Sequence, residues 1–165
     1  MASTAPSLTV DLADYADARD AADLVMLLDA YARDPMGGGE PLSDHARGNF
    51  VAGLSATPGA FSLIARHDGA AVGLANCLTG YSTFAAAPLV NIHDFAVLSQ
   101  VRGQGIGRAL MAAIEAEALK RGAVKVTLEV LSGNAAARAL YNACGYSDYQ
   151  LDPTTGQALF WQKRL

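Results

Sequence analysis

The stretch Arg102-Gly103-Gln104-Gly105-Ile106-Gly107-Arg108 decides how this chain is interpreted. Its glycines let the backbone curl until successive amide groups point at one spot. A helix-forming run begins near Gly105, so the loop also carries the unpaired N–H groups and the positive dipole end of a helix. The two arginines that bracket the loop add positive charge. The stretch therefore predicts a site for a doubly charged anion such as a pyrophosphate.

Two familiar phosphate-binding patterns match these glycines less well. A P-loop requires G-x-x-x-x-G-K-S/T, and no Lys-Ser or Lys-Thr pair follows the loop, which argues against nucleoside triphosphate chemistry. The dinucleotide fingerprint G-x-G-x-x-G is closer, because Gly105 and Gly107 match its first half and Glu129 stands where a ribose-binding acid would. However, Leu110 replaces the third glycine, and residues 98–102 separate the loop from the preceding predicted strand. A dinucleotide-binding oxidoreductase is the remaining alternative from this pattern.

The hydrophobic periodicity around the loop predicts an α/β protein. The predicted helices are 18–33, about 43–54, 105–121 and 134–144, and the predicted strands are 8–12, 61–65, 71–78, 89–97 and 124–131, followed by a closing hairpin of 146–149 with 158–162. Asp68-Gly69 predicts a tight hairpin turn. A strand–helix–strand crossover makes the two strands that it joins parallel. At 165 residues the chain is long enough for one buried core and too short for two ordinary domains, so we expect one domain over residues 1–165 (mixed α+β). Its mixed sheet would have about six to seven strands, antiparallel in the first half and parallel at the centre, flanked by about four helices.

Composition excludes several classes of function. The 165 residues carry a net charge of -4, so no basic field favours nucleic acid as a partner. Neither a leader-like N-terminus nor an apolar run of about 18 residues is present, which predicts a cytoplasmic protein without a membrane partner. Cys77 and Cys144 lack metal-type spacing, so no metal site is expected, and Cys144 is interpreted as a small buried hydrophobe.

The chain resembles the GNAT superfamily of N-acetyltransferases, whose signature is Arg/Gln-x-x-Gly-x-Gly/Ala between a strand and a helix. Arg102, Gly105 and Gly107 supply that signature. The resemblance continues through Asp94-Phe95-Ala96-Val97 before the loop and Ala109-Leu110-Met111 after it, and through 134–146, which read N-x-x-A-x-x-L-Y-x-x-x-G-Y. Within the superfamily the chain looks most like the polyamine and thialysine acetyltransferases, given Ile92-His93-Asp94-Phe95 and Ala158-Leu159-Phe160-Trp161.

The resemblance implies acetyl-CoA as co-substrate, without a metal. It places the pantetheine arm along the backbone where the two parallel strands splay and the pyrophosphate on the glycine loop. The implied cofactor-binding residues are Phe95, Ala96, Val97, Arg102, Gly103, Gln104, Gly105, Ile106, Gly107, Arg108, Asn134 and Arg138. Asn134 and Tyr141 are seven positions apart on the predicted helix with Arg138 between them, so we expect these three on one face, opposite Ala136, Leu140 and Ala143.

The resemblance also implies two catalytic residues. Tyr141 matches the general acid of the family, whose phenol protonates or hydrogen-bonds the leaving thiolate. His93 stands where the polyamine relatives often have glutamate, and an imidazole with a pKa near ~6.5 suits a base or an acceptor contact. This substitution departs from the family pattern, and a structural role for His93, or a strand-holding role for Asp94, remains the alternative.

The expected acceptor is a primary amine of a small molecule: a polyamine, an amino acid or a lysine-like compound. The candidate residues for binding a cationic amine are Glu40, Asp44, Tyr81 and Glu129. A non-catalytic acyl-CoA-binding sensor is the second hypothesis, against which Tyr141 and the complete glycine loop count. A homodimer is compatible with the resemblance, because relatives often pair through terminal strands.

Overall fold

The fold is seen in a computed structural model that describes residues 7–149, 152, 154, 156 and 158–165. The elements are β1 (Leu8–Leu12), α1 (Ala18–Arg33), α2 (Asp44–Ala56), β2 (Ala60–His67), β3 (Ala70–Ser82), β4 (Ala87–Val97), a 3-10 turn (Ser99–Val101), α3 (Ile106–Lys120), β5 (Val126–Leu128) and α4 (Ala135–Ala143). The chain divides after Leu128 into two units, which are described separately below.

The helices of the first unit begin where the sequence supplies a side-chain cap. The Asp17 carboxylate accepts hydrogen bonds from the amides of Arg19 and Asp20, each at 2.9 Å, and the Ser43 hydroxyl accepts one from Ala46 at 3.1 Å. Such caps satisfy N–H groups that have no partner within the helix. The predicted start of α1 at residue 18 is confirmed, and α2, predicted to begin at about residue 43, begins at Asp44 with Ser43 as its cap.

The five strands form one sheet in the order β1-β2-β3-β4-β5. The first four strands are antiparallel to their neighbours, whereas β4 and β5 are parallel. The predicted turn between β2 and β3 is confirmed: Asp68 and Gly69 both have positive φ, 50° and 78°, as a type I′ hairpin requires. The mixed α/β architecture predicted from the periodicity is therefore correct.

Helices α1 and α3 cover opposite faces of this sheet. Leu24 and Leu27 of α1 are fully buried in a cluster with Leu74 of β3. A side chain on the adjacent Gly73 would instead meet Leu110 of α3 at 3.0 Å. Because neighbouring residues of a strand point to opposite faces, the first unit is a three-layer core with the sheet in the middle.

Strand β4 is interrupted at His93. Asn76 of β3 pairs with Asp94 while the next residue, Cys77, pairs with Ile92, so His93 is the extra residue of a β-bulge. The parallel register with β5 also stops at this point, since its last pair joins Ile92 to Leu128. Beyond the bulge, no residue of β5 pairs with the end of β4.

Two expectations about the sheet are wrong. Residues 146–149 and 158–162 contain no strand among the positions that the structure describes, and residues 150, 151, 153, 155 and 157 of the intervening segment lie outside them. Within the described residues the sheet thus has five strands rather than six or seven, and its parallel pair lies at an edge rather than at the centre. The predicted strand 124–131 shortens to Val126–Leu128, and its pairing with β4 ends at Ile92, the residue before the bulge.

Candidate active site

The glycine loop leads from the end of β4 into α3. Gly103 has a φ of 78°, and Gly105 has a φ of 83° and a ψ of -4°, both in the left-handed region that other residues seldom adopt. Gly105 is the N-cap of α3. The local backbone therefore needs glycine at these two positions, which agrees with their place in the motif.

Helix α3 starts without a side-chain cap, unlike the other three described helices, which begin at Asp17, Ser43 and Asn134. Among the described residues, none accepts a hydrogen bond from the amide groups of residues 105–108. Four N–H donors at the positive end of a 15-residue helix thus have no hydrogen-bond partner in the part of the chain that the structure describes. This arrangement fits an anionic group such as a pyrophosphate, because it supplies oriented donors where glycine leaves room for one.

The two arginines of the loop occupy different environments. The guanidinium of Arg102 donates from Nε to the Val97 carbonyl at 2.9 Å and pairs with Asp34 at 2.8 Å. This ion pair, with the hydrogen bond to Arg102 as the main cause, lowers the pKa of the Asp34 carboxyl. Arg108 is exposed and forms no ion pair with any described residue. Arg108 is therefore the arginine that can approach an anion without first breaking a contact.

The bulge places His93, a predicted catalytic residue, and its neighbour Asp94 in different environments. His93 is exposed, whereas Asp94 is half-buried and lies in register with Asn76. The amide of Asn76 donates to the Asp94 carboxylate at 3.0 Å. Burial, followed by the charges of Asp94 and Asp34, raises the pKa of the nearby Tyr31 phenol, so Tyr31 stays neutral at physiological pH.

A row of polar side chains behind Asp94 was not predicted. Ser62 and Asn76 are almost fully buried, and the chain of contacts continues from Asn76 through Ser62 to the hydroxyl of Tyr15. The signal in the sequence is a single polar residue within each of two apolar strands, Phe61-Ser62-Leu63 and Ala75-Asn76-Cys77. Because buried polar groups cost free energy unless they are hydrogen-bonded, such residues are informative about the strands that contain them.

The residues proposed to grip a cationic amine do not form a group in the first unit. Glu40 and Asp44 are exposed, and the Tyr81 ring is 62% exposed far along β3. Glu129 belongs to the second unit. Asp34 and Asp94 both act electrostatically on Tyr31, and sequence reasoning did not select Asp34.

The second unit contains α4 and the predicted general acid. Asn134 caps α4, since its side-chain oxygen accepts a hydrogen bond from the Ala137 amide at 3.1 Å. Tyr141 is the buried residue of this helix, and its ring lies 6.3 Å from that of Tyr146 at an angle of 53°. Arg138 is exposed and donates to the Ser132 carbonyl at 3.2 Å.

The two predicted faces of α4 differ in burial. Ala136 and Ala143 of the predicted apolar face are exposed and Leu140 is half-buried, whereas Tyr141 of the predicted polar face is buried. The aromatic ring offers far more apolar area than a methyl group, so burial of the tyrosine face is favoured.

The cysteines and the acids form no metal site. Among the described residues, no group of three or more His, Cys, Asp or Glu side chains could hold a metal ion. Cys77 is buried, and desolvation raises the pKa of its thiol to about 12, so it carries no thiolate at neutral pH. Cys144 is only half-buried, which departs from the prediction of a buried hydrophobe.

None of the described helices has the length and apolar character needed to cross a membrane.

Solved structures share this fold. An aminoglycoside N-acetyltransferase in complex with CoA is 18% identical, with 100% of both chains covered and a TM-score of 0.77. An aminoglycoside acetyltransferase from an uncultured soil metagenomic sample, in complex with sisomicin, is 16% identical, with 95% of this chain and 97% of that chain covered and a TM-score of 0.74. A ribosomal-protein-alanine N-acetyltransferase from Brucella melitensis biovar Abortus 2308 is 23% identical, with 88% and 99% covered and a TM-score of 0.66.

These identities are low, so the three likenesses show the fold alone. No curated protein matches the sequence. The family is decided by a sequence model described as acetyltransferase (GNAT) family, which matches residues 24–146 and therefore runs from within α1 to just beyond α4. The chain belongs to the acetyltransferase (GNAT) family, an enzyme family that uses acetyl-CoA.

Proposed function

We propose that this chain acts as one N-acetyltransferase domain over residues 1–165 and transfers an acetyl group from acetyl-CoA directly to a primary amine of a small molecule. The observation that carries the proposal is the uncapped start of α3, where the amides of residues 105–108 have no acceptor among the described residues. Membership of the family supplies the chemical identity of the anion that these donors fit.

The first unit offers positions for two parts of the co-substrate. The amides that follow Gly105 would bind the pyrophosphate, with the exposed Arg108 adding charge. The end of β4, residues 95–97, would bind the pantetheine arm, because β5 pairs with β4 only up to Ile92. Bound acetyl-CoA supplies an activated acetyl thioester, and the chain's own residues supply orientation and proton transfer.

Two residues are proposed to move protons. The phenol oxygen of Tyr141 would carry the proton that is given to the leaving sulfur, and the imidazole of His93, exposed at the bulge, would accept a proton from the amine or contact the acceptor. The proposal also assigns Asn134 and Arg138 to cofactor binding. For Asn134 the capping bond is observed, and its contact with the co-substrate is part of the proposal.

The acceptor that suits this chain best is cationic. Asp94, which forms no ion pair with any described residue, places negative charge near Tyr31, and the chain as a whole has a net charge of -4. A polyamine, an amino acid or a lysine-like compound would meet this requirement. Aminoglycosides join the list because two structurally similar proteins are aminoglycoside acetyltransferases.

The test combines binding and turnover. Calorimetry with CoA should give a saturable isotherm, whereas NAD should give none, and thiol release should be followed with acetyl-CoA and a panel of spermidine, lysine, sisomicin and a peptide with N-terminal alanine. Release of thiol that depends on one amine class supports the enzyme and names its acceptor. CoA binding without thiol release on any amine would favour the sensor, and absence of CoA binding would refute the proposal.

A further inference from the structure

We propose that Tyr15, Ser62 and Asn76 form a buried hydrogen-bond chain that positions the Asp94 carboxylate to receive the ammonium group of the acceptor. The inference rests on the proposed acetyl transfer to a cationic amine. It assigns positioning roles to three residues outside the glycine loop and the family motif, and it names the acceptor contact.

The hydrogen-bond chain runs straight across the sheet. Ser62 of β2 pairs with Asn76 of β3, and Asn76 pairs with Asp94 of β4, so the three side chains are neighbours on adjacent strands. Asp94 precedes Ala96 by two residues, and Ala96 packs against the cluster formed with α1. The row therefore lies on the face of the sheet that α1 covers. Ser62 and Asn76 are only 1% and 2% exposed, which isolates their hydrogen bonds from water.

The proton of each donor in the chain can be assigned. A carboxylate only accepts hydrogen bonds, so the Asn76 amide nitrogen faces Asp94, at 3.0 Å. The Asn76 oxygen must then accept from the Ser62 hydroxyl, at 2.6 Å. Since that bond uses the only proton of the serine, the hydroxyl of Tyr15, at 2.9 Å from Ser62, has to be the donor in its own contact.

All the bonds therefore point toward Asp94. Hydrogen bonds aligned in this way polarise one another, and the effect is strongest in a buried, weakly screened setting. The hydrogen-bond chain ends on one carboxylate oxygen of Asp94, Oδ2, while Oδ1 of Asp94 has no hydrogen-bond partner among the described residues. One oxygen is thus held in place and the other remains available to a ligand.

Asp94 also has no cationic partner among the residues that the structure describes. Elsewhere in the same unit, partly buried acids such as Asp20, Asp29 and Asp34 each pair with an arginine. No described lysine, arginine or histidine forms an ion pair with Asp94. The titratable groups that act on it from the neighbouring elements are the phenol of Tyr31 and the thiol of Cys77, both neutral at physiological pH. A half-buried carboxylate with an oriented donor chain and no counter-ion is suited to an ammonium group brought by the substrate.

The test compares removal of each link with a matched control. The variants are Tyr15→Phe, Ser62→Ala, Asn76→Leu, Asp94→Asn and the control Cys77→Ala, which alters the residue next to Asn76 on the opposite face of β3. KM for spermidine, lysine and sisomicin is measured at saturating acetyl-CoA, and CoA affinity is measured separately by calorimetry. The side-chain amide signals of Asn76 are followed by nuclear magnetic resonance as each amine is added.

The expected effects are graded along the chain. Asn76→Leu should raise KM for the preferred amine roughly tenfold, Ser62→Ala about threefold and Tyr15→Phe less than about twofold, with CoA affinity unchanged, because each step away from Asp94 leaves more of the chain intact. Asn76→Leu should have no further effect in the Asp94→Asn background, since it acts through that carboxylate. Cys77→Ala should leave KM unchanged.

Several results would overturn the inference. Folded Ser62→Ala and Asn76→Leu variants with the parental KM would do so, as would an equal effect of Asn76→Leu with and without the Asp94 carboxylate. If Asn76→Leu does not fold, the inference is still tested by the other two variants: Ser62→Ala must raise KM more than Tyr15→Phe does, and the reverse order would overturn it. Asn76 signals that do not shift in any saturating amine would exclude Asp94 as the contact even if no amine is acetylated, whereas loss of CoA binding would refute the proposed function itself.

Discussion

Replacing Gly105 by alanine separates the backbone conformation of the loop from its side-chain contacts. Gly105 has a φ of 83°, and a Cβ added there would meet nothing within 4 Å, so the variant suffers no steric clash. The cost is conformational, about 1–2 kcal/mol for a residue with a Cβ in the left-handed region. If the backbone relaxes to avoid this cost, the amides at the start of α3 turn away from the pyrophosphate.

The expected result is a weaker complex with CoA. Loss of one or two charge-assisted hydrogen bonds, at about 1.5–3 kcal/mol each, lowers affinity by roughly tenfold or more. Calorimetry with CoA measures the affinity, and urea unfolding measures the accompanying loss of stability.

Gly69→Ala is the matched control for this experiment. Gly69 has a φ of 78° and likewise nothing within 4 Å of its added Cβ, but it lies in the β2–β3 hairpin. The Gly69→Ala variant should lose about 1–2 kcal/mol of stability while its CoA affinity stays unchanged. Equal CoA affinity in both variants would refute the reasoning, because it would show that the amide geometry at Gly105 does not bind the ligand.

Three further predictions concern stability, pH and catalysis. Arg66→Ala should destabilise the fold by about 3–5 kcal/mol in urea unfolding, because it leaves Asp20 and Asp23 without their shared partner. The control Arg33→Ala, at a more exposed ion pair, should cost at most about 1 kcal/mol. Similar losses of stability in the two variants would contradict this prediction. Burial raises the folded-state pKa of the Cys77 thiol from 9.0 to about 12. The contribution of this thiol to the free energy of unfolding is therefore fully present below pH 9 and falls by about 1.4 kcal/mol per pH unit as the pH rises toward 12. Cys77→Ala should remove that slope between about pH 9 and 10, before the tyrosines contribute. Tyr141→Phe should lower turnover about 100-fold with CoA affinity retained, whereas Tyr146→Phe should change little; parental turnover of Tyr141→Phe at every pH would remove the phenol from the mechanism.

Local patterns were sufficient for much of the fold. Side-chain caps at Asp17, Ser43 and Asn134 act on amides two or three residues away, and the Asp68-Gly69 turn depends on its own two φ angles, so each could be predicted from a few neighbouring residues. The glycine loop belongs to the same class, because its left-handed residues and its uncapped helix start are properties of consecutive positions. The conformation of the loop was predictable for that reason, and pyrophosphate binding at its amides stays a prediction.

The closing hairpin shows where local patterns are insufficient. Apolar residues in 158–162 are compatible with a strand, but strand formation requires a partner at the correct register. Leu159, Phe160 and Trp161 are between 72% and 83% exposed in the structure. The choice between a strand and an exposed segment depends on long-range pairing, which a period of two along the chain does not encode.

The sequence by itself determined the α/β class, the glycine loop and the membership of residues 24–146 in a family that uses acetyl-CoA. Only the tertiary structure decided that His93 is a bulge residue, that Arg102 pairs with Asp34 sixty-eight positions earlier, and that Tyr15, Ser62, Asn76 and Asp94 form one chain of hydrogen bonds. The physical reason is separation along the chain. Side chains that lie 14 to 68 positions apart meet only after the strands have paired and α1 has packed on the sheet, and no local pattern records which of them will be opposite one another.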